Sequence, residues 1–136
     1  MKKEWAPQLL SVLRIVVAFL FFQVGSAKWF AFPAAIMPGG GTAPVGSLVW
    51  FAGVIEVVGG TLILLGLFTR PVAFILSGEM AFAYFMSHAP QNFYPLLNRG
   101  DAAILYCFVF LYLAVAGGGV WSLDQLRAAS PARRAA

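Results

Sequence analysis

The sequence is poor in charged residues and nearly lacks cysteine and histidine. Only 10% of its 136 residues are Asp, Glu, Lys or Arg, whereas 61% are hydrophobic and the mean hydropathy is +0.85. A soluble domain carries about 25% charged residues, so this composition indicates an integral membrane protein. The single cysteine, Cys107, excludes an intramolecular disulfide and a Cys-x-x-Cys redox pair.

The scarcity of ligating residues also excludes the common intrinsic cofactor sites. His88 is the single histidine, so haem with two histidine ligands from one chain is excluded. A carboxylate di-iron site needs about four carboxylates with Glu-x-x-His motifs, and a tetrahedral zinc site would lack ligands. No phosphate-binding glycine motif or Ser-His-Asp set is present. We therefore expect no intrinsic cofactor and no metal.

The apolar residues form four segments separated by glycine- and proline-rich breaks. Because about 20 helical residues cross the hydrocarbon core, the pattern predicts an all-α, polytopic membrane four-helix bundle with up-down antiparallel topology. The predicted single domain covers residues 1–124, and a polar cytoplasmic tail covers 125–136. The predicted spans cover about residues 8–30, 46–67, 71–87 and 101–117.

The basic residues predict the orientation of this bundle. Seven of the nine fall on the side of the two termini and of the turn between spans two and three. The excess of positive charge places that side, and both termini, in the cytoplasm, so we expect a multi-pass protein of the cell inner (plasma) membrane. Since the net charge of +4 lies at span ends, it does not indicate a nucleic-acid partner. The seven are Lys2, Lys3, Arg14, Arg70, Arg127, Arg133 and Arg134, against Lys28 and Arg99 on the other side.

Two glutamates interrupt the apolar spans at the same depth. Glu56 lies about 10 residues, and Glu79 about 9 residues, from the short turn that joins spans two and three. At 1.5 Å per residue both lie roughly 14 Å deep, near the bilayer midplane. A charge there costs at least ~2.5–3.5 kcal/mol. We expect both carboxyl groups to face the bundle interior, for binding or proton handling, or to act as protonated structural hydrogen-bonding groups.

A stripe on span one supplies a candidate counter-charge for these glutamates. Its members recur at spacings of three and four and so share one helical face. Arg14 lies one to two turns inside the cytoplasmic edge, where its long side chain either reaches towards the glutamates or snorkels to the interface. With Glu56 and Glu79 it forms the predicted buried polar centre. The stripe comprises Ser11, Arg14, Ala18, Phe21, Gly25 and Lys28.

A second polar set lies at the outer ends of the spans. Lys28 ends span one, His88 ends span three, and Asn98 and Asp101 precede or open span four. We predict that they form an outer polar cluster. Two interpretations without a binding role stay open. Asp101 also complements a helix dipole, and His88 also suits a solvated position at the membrane interface.

Several motifs resemble those of the DoxX family of small four-helix membrane proteins. They are Arg14 with the Gly25–Lys28 segment, GVIEVVGGTLILLGLFTRPVA at 53–73, Glu79 in the next span, and HAPQNFYPLLNRGDAAILYCFVFLYLAVAGGGVWSLD at 88–124. The most specific parts are the glutamate before a glycine pair, Leu-Gly-Leu-Phe-Thr-Arg, Leu-Asn-Arg-Gly-Asp and Gly-x-x-Ser-Leu-Asp. The resemblance covers the chain from about Leu9 to Asp124.

The resemblance implies a redox-associated function. The family name comes from a subunit linked to a quinone-dependent oxidoreductase of sulfur oxidation, and other members associate with thiol-redox complexes. It implies a quinone- or redox-linked subunit with a bound quinone, a redox enzyme subunit as partner, and the lipid bilayer around it. Two alternatives stay open: binding or transport of a small hydrophobic molecule or lipid, and a noncatalytic assembly or scaffold protein. Whether the chain is an enzyme also stays open, and so does a homo-oligomer.

Overall fold

A computed structural model describes residues 4–130, and this part of the chain is all-helical. Helix covers 71% of residues 4–130, which contain no strand. Lys2, Lys3, Arg133 and Arg134, which contribute to the predicted orientation, lie outside the described residues. The helices are α1 (Ala6–Phe30), α2 (Leu48–Leu65), α3 (Thr69–Ala83) continued by a π-helical turn (Tyr84–His88), α4 (Pro95–Asn98), α5 (Asp101–Ala116) and α6 (Leu123–Ala129).

Two of these helices, α1 and α2, are long and apolar enough to cross a membrane. Helix α5 is apolar but has 16 residues, and α3 with its π-helical turn covers residues 69–88. Many large apolar side chains on the outer faces of the helices are exposed, among them Phe19, Val58 and Phe74. The described helices are therefore apolar outside as well as inside, as expected for a protein surrounded by lipid.

A three-residue turn makes α2 and α3 neighbours that run in opposite directions. Helix α2 ends at Gly66, whose φ of 68° is readily adopted by glycine, and the Leu67 amide bonds back to the Leu62 carbonyl at 2.9 Å. Phe68 also has a positive φ, and α3 begins at the next residue. We call the end of the molecule with this turn the turn end, and the opposite end the far end.

Glycines bring α1 and α2 into close contact. A Cβ atom added at Gly25 would lie 2.7 Å from the Cβ atom of Glu56, and one at Gly53 would lie 2.6 Å from the Trp29 ring. At Gly60 an added Cβ would lie 3.2 Å from the Phe22 Cα atom. Small residues of this kind allow two helical backbones to approach within a membrane. This contact sets Glu56 directly against α1.

The core lies between the α1–α2 pair and the α3–α5 pair. The Phe21 ring meets the Tyr106 and Phe110 rings edge to face, with centroid distances of 5.3 and 4.9 Å. The predicted stripe on α1 faces inward, because Ser11, Arg14, Ala18, Phe21 and Gly25 are all buried. The buried apolar cluster consists of Ala18, Phe21, Ile63, Ala73, Leu76, Met80, Ala103, Phe110 and Leu113.

Candidate binding site between two helices

Glu56 pairs with Lys28. The Lys28 Nζ atom lies 2.6 Å from Glu56 Oε1, and the exposed fractions of the two side chains are 17% and 1%. The second carboxylate oxygen of Glu56 is buried and has no hydrogen-bond partner within the described chain. A charge held away from water needs a counter-charge, and Lys28 supplies it. Lys28 lies on α1 one turn beyond Gly25, the residue that contacts Glu56, on the side of the far end.

Glu79 lies near this ion pair but does not form one itself. Both of its carboxyl oxygens are buried and have no hydrogen-bond partner among residues 4–130. Glu79 lines the same cavity as Lys28 and Glu56. A buried carboxyl group without a donor or counter-charge favours its neutral form, in which it is itself a hydrogen-bond donor. The structure thus brings Lys28, Glu56 and Glu79 together.

A cavity of about 590 Å³ lies beside these groups, between α2 and α3. Leu76 packs against Gly59 nearer the turn end, and beyond that contact the two helices leave a space that extends to the far end. The polar wall contains Lys28, Glu56, Glu79, Ser87 and His88. The apolar wall consists mainly of Leu48, Val49, Phe51, Ala52, Ile55, Ile75, Phe82, Ala83 and Met86. Predominantly apolar cavities with a few convergent polar groups are typical ligand sites.

The π-helical turn places His88 at the far end of this cavity. Its ring stacks on the Tyr84 ring at a centroid distance of 6.3 Å, and its Nδ1 atom lies 2.9 Å from the Asn98 carbonyl oxygen. Since a carbonyl oxygen only accepts, Nδ1 carries the hydrogen. In the neutral ring, Nε2 is then an acceptor. π-Helical turns are frequent at functional sites.

The predicted outer cluster forms only in part. Asn98 is buried, donates to the Asn92 carbonyl at 2.8 Å and accepts from the Gly100 amide at 2.7 Å, so it organises the loop that holds His88. Lys28 points to Glu56 instead. Asp101 is exposed in the first turn of α5, which matches the alternative interpretation that it complements the helix dipole.

Arg14 is not the counter-charge of the glutamates in this structure. Its guanidinium group is buried at the turn end and donates to four backbone carbonyl oxygens. Nε donates to the Gly118 oxygen at 2.8 Å, and the two terminal nitrogens donate to the oxygens of Ile63, Leu64 and Trp121. Ile63 and Leu64 belong to the last turn of α2, where carbonyls lack the usual helical partner four residues on, although the Ile63 oxygen also accepts from the Gly66 amide at 3.0 Å. A cation also complements the dipole of α2 there, so Arg14 neither reaches Glu56 nor snorkels out.

Asp124 completes this arrangement at the turn end, although the sequence analysis assigned it no role. Its carboxylate accepts from the Phe68 and Thr69 amides at 2.8 Å each, which caps the N-terminus of α3. Partial burial raises the pKa of Asp124, but these hydrogen bonds and nearby Arg127 outweigh it, so the net pKa lies below its ordinary value. The Ser-Leu-Asp sequence after the glycine run was the available signal.

Two of the motifs that resemble the DoxX family therefore contact each other in the structure. Leu-Gly-Leu-Phe-Thr-Arg at 65–70 supplies the turn and the amides, and Gly-x-x-Ser-Leu-Asp at 119–124 supplies the carboxylate that binds them. Residues 9–89 match the DoxX family. The chain belongs to the DoxX family. Among residues 4–130 this DoxX protein has no group of three or more His, Cys, Asp or Glu residues arranged to hold a metal.

Relatives in two bacteria resemble this DoxX protein over most of its length. A protein of Haemophilus influenzae, described as uncharacterized, is 46% identical over 126 residues, which cover 90% of this chain and 93% of the relative. An uncharacterized membrane protein of Mycobacterium tuberculosis is 30% identical over 135 residues, which cover 88% of this chain and 81% of the relative. No solved structure matches the chain. This chain is thus a DoxX family membrane protein.

Proposed function

We propose that this DoxX protein is a quinone-linked subunit of the inner membrane, and that the cavity between α2 and α3 binds the quinone head group. The observation that carries the proposal is the position of two buried glutamates and one lysine on the wall of an otherwise apolar cavity. Arg14, expected in the same polar centre, instead stabilises the turn end. The proposed centre is therefore Lys28, Glu56 and Glu79.

The cavity walls match the two halves of such a ligand. A quinone presents carbonyl oxygens on an apolar ring with an apolar tail, and it needs hydrogen-bond donors surrounded by apolar side chains. Lys28 is a donor, and Glu79 is one in its neutral form. The exposed apolar side chains of Ile55, Ile75 and Phe82 line the same space, so a tail leaving the cavity meets apolar protein and lipid.

Reduction of a quinone to a quinol consumes two electrons and two protons. We propose that a partner redox enzyme subunit supplies the electrons. Glu79, in its neutral form, hands one proton to a quinone oxygen and is left as a carboxylate. It then takes a second proton from water at the far end of the cavity and hands it to the other quinone oxygen, so that both protons are accounted for.

The proposed membrane placement follows from the helices and the basic residues. Helices α1, α2, α3 with its π-helical turn, and α5 cross the membrane as a four-helix bundle with the turn end in the cytoplasm. Arg70 and Arg127 lie at the turn end and Arg99 at the far end, in accord with the excess of positive charge on cytoplasmic segments. This arrangement puts both chain termini in the cytoplasm.

The experiment is mass spectrometry of organic extracts from the purified protein. We expect a stoichiometric quinone in the wild type and its loss in Glu56→Gln and Glu79→Gln. Gly78→Leu is a sharper variant, because Gly78 lines the cavity and a Cβ added there meets no atom within 4 Å. It should fill the cavity and remove the quinone while the protein stays folded. Glu4→Gln, an exposed carboxyl change outside the cavity, is the matched control.

Other outcomes distinguish the alternatives. A different lipid or small hydrophobic molecule that is lost in the same variants would support a binding or transport protein without electron transfer, for which the apolar cavity wall is the favouring observation. Retention of quinone in all cavity variants would place it elsewhere and contradict the proposed site. Absence of any ligand, together with a partner that co-purifies equally with all variants, would indicate an assembly role and contradict the quinone proposal.

A further inference from the structure

A second cavity, of about 570 Å³, lies at the turn end and takes no part in the quinone site. It is bordered by the start of α3, the glycine run after α5 and the start of α6. Its charged side chains are Arg70, Asp124 and Arg127. The buried Arg14 guanidinium lies close to this cavity. A Cβ atom added at Gly66 would be 3.0 Å from the Arg14 Cζ atom and 2.5 Å from the Cβ atom of Ser122, which lines the cavity. Two cations, Arg70 and Arg127, thus share the wall with one carboxylate, Asp124.

The carboxylate in this cavity already has hydrogen-bond donors, whereas the two arginines on its wall keep most of their own donors unused. Asp124 accepts from the Phe68 and Thr69 amides. Arg70 donates one hydrogen bond, at 2.6 Å, to the Val115 carbonyl. The guanidinium of Arg127 lies over the Phe68 ring, 4.8 Å from its centroid. A guanidinium has five N–H donors, so both arginines retain donors for an anion.

A hydroxyl group adds to the same wall. The glycine run that borders it is bent at Gly117 and Gly119, whose φ values are 85° and 77°, while the Gly117 amide donates to the Leu113 carbonyl at 2.8 Å. The Thr69 Oγ1 atom is buried and has no hydrogen-bond partner of acceptable geometry within the described chain, although it lies close enough to Asp124 to lower the pKa of that carboxyl. An unsatisfied buried hydroxyl is costly, and an acceptor in this cavity would satisfy it.

We propose that this cavity binds a phosphate group, and that its occupant is the phosphodiester head group of an anionic lipid. Arginine forks match phosphate oxygens bidentately. The volume exceeds what a single inorganic phosphate requires, and Pro7, Phe68, Pro71 and Val120 on the wall suit the glycerol and first methylenes of a lipid. In the membrane placement proposed above, the turn end lies at the cytoplasmic surface, where anionic lipids attract arginines.

The test is native mass spectrometry of the full chain in detergent micelles doped with phosphatidylglycerol or phosphatidylcholine. We expect one phosphatidylglycerol bound selectively by the wild type, with an affinity at least about tenfold lower in Arg127→Gln and in Arg70→Gln. Arg99→Gln removes the same charge at the far end and should bind like the wild type. Thr69→Val should weaken lipid binding without lowering Tm, which a purely structural hydroxyl would not do.

A titration with inorganic phosphate separates the two sources of the same chemistry. Phosphate that binds the wild type but not Arg127→Gln, with no selective lipid binding, would support the anion site and assign it to a free phosphate. Equal lipid and phosphate binding by the wild type, Arg70→Gln and Arg127→Gln would overturn the proposal. Arg127→Gln keeps the test valid if Arg70→Gln fails to fold, because the Arg127 side chain contributes a ring contact rather than a backbone hydrogen bond.

Discussion

The ammonium group of Lys28 and the carboxylate of Glu56 form a 2.6 Å ion pair at a point where α1 and α2 are held together by Gly25. Lys28 lies in the last turn of α1, and its side chain extends back towards the middle of the helix pair, where it meets the Glu56 carboxylate. The pair forms one wall of the cavity between α2 and α3. A ligand bound in this cavity would therefore contact the Lys28–Glu56 ion pair and change both its exposure to water and its stability.

Lys28→Met should destabilise the protein by about 3–5 kcal/mol, because it leaves the Glu56 carboxylate buried without its counter-charge. Glu56→Gln should cost less, since Lys28 is partly exposed and its ammonium can be hydrated. The double variant Lys28→Met/Glu56→Gln should recover much of the loss. Thermal unfolding in detergent measures all four proteins. Additive single effects, within about 0.5 kcal/mol, would show that the two groups do not interact.

Arg14→Lys should be strongly destabilising despite keeping the charge. Lysine has three donors on one atom, whereas the carbonyls that Arg14 binds belong to α2, the glycine run and Trp121. Hydrogen bonds to charged groups contribute roughly 1.5–3 kcal/mol each, so we expect a loss above about 3 kcal/mol. Hydrogen exchange should accelerate at residues 117–122. Arg99→Lys, at an exposed site, is the control, and equal Tm values for the two variants would show that the four hydrogen bonds of Arg14 do not stabilise the turn end.

Gly25→Ala and Gly78→Ala should have opposite effects. An added Cβ at Gly25 would lie 2.7 Å from Glu56 Cβ and 2.9 Å from the Val57 amide nitrogen, so the helices must separate. Such overpacking costs typically about 1–3 kcal/mol. At Gly78 an added Cβ meets nothing within 4 Å, and alanine should stabilise helix α3 by up to about 1 kcal/mol. Chemical denaturation in mixed micelles measures both. Equal destabilisation would contradict the close contact between α1 and α2.

The Asp124 cap should make stability depend on pH in the acid range. Because the folded state lowers the pKa of Asp124, the carboxylate contributes stability above its unfolded pKa of about 3.9, and that contribution is lost as pH falls through the lower folded pKa. Asp124→Asn should therefore be less stable than the wild type at pH 7, by about 0.5–2 kcal/mol as for other helix caps.

The difference in Tm between the wild type and Asp124→Asn should shrink as the pH is lowered below about 4. Scanning calorimetry at several pH values measures it. Asp101→Asn, which changes an exposed carboxyl at the start of α5, is the matched control. A Tm difference that stays constant from pH 7 to pH 3 would mean that the charge of Asp124 is not what caps α3.

Much of the candidate site was readable from the sequence, but its pairing was not. Counting residues from the turn places Glu56 and Glu79 at one depth, and both line the same cavity, because a three-residue turn makes α2 and α3 antiparallel neighbours. The choice of Lys28 over Arg14 depends on side-chain reach and on which carbonyls are left unpaired. Arg14 has four carbonyl acceptors within reach, whereas Lys28 has the Glu56 carboxylate. The spacing of residues along a helix does not predict either set of partners.

The sequence by itself determined the class of the protein, its family and the inward face of α1. Hydropathy and helical periodicity are local properties, and they suffice for these conclusions. The tertiary structure alone decided that the turn at 66–68 and the segment at 118–124 form one capped unit, that α2 and α3 leave a cavity beside two glutamates, and that two arginines face a second cavity. These features arise between residues more than 20 positions apart, and only packing brings such residues together.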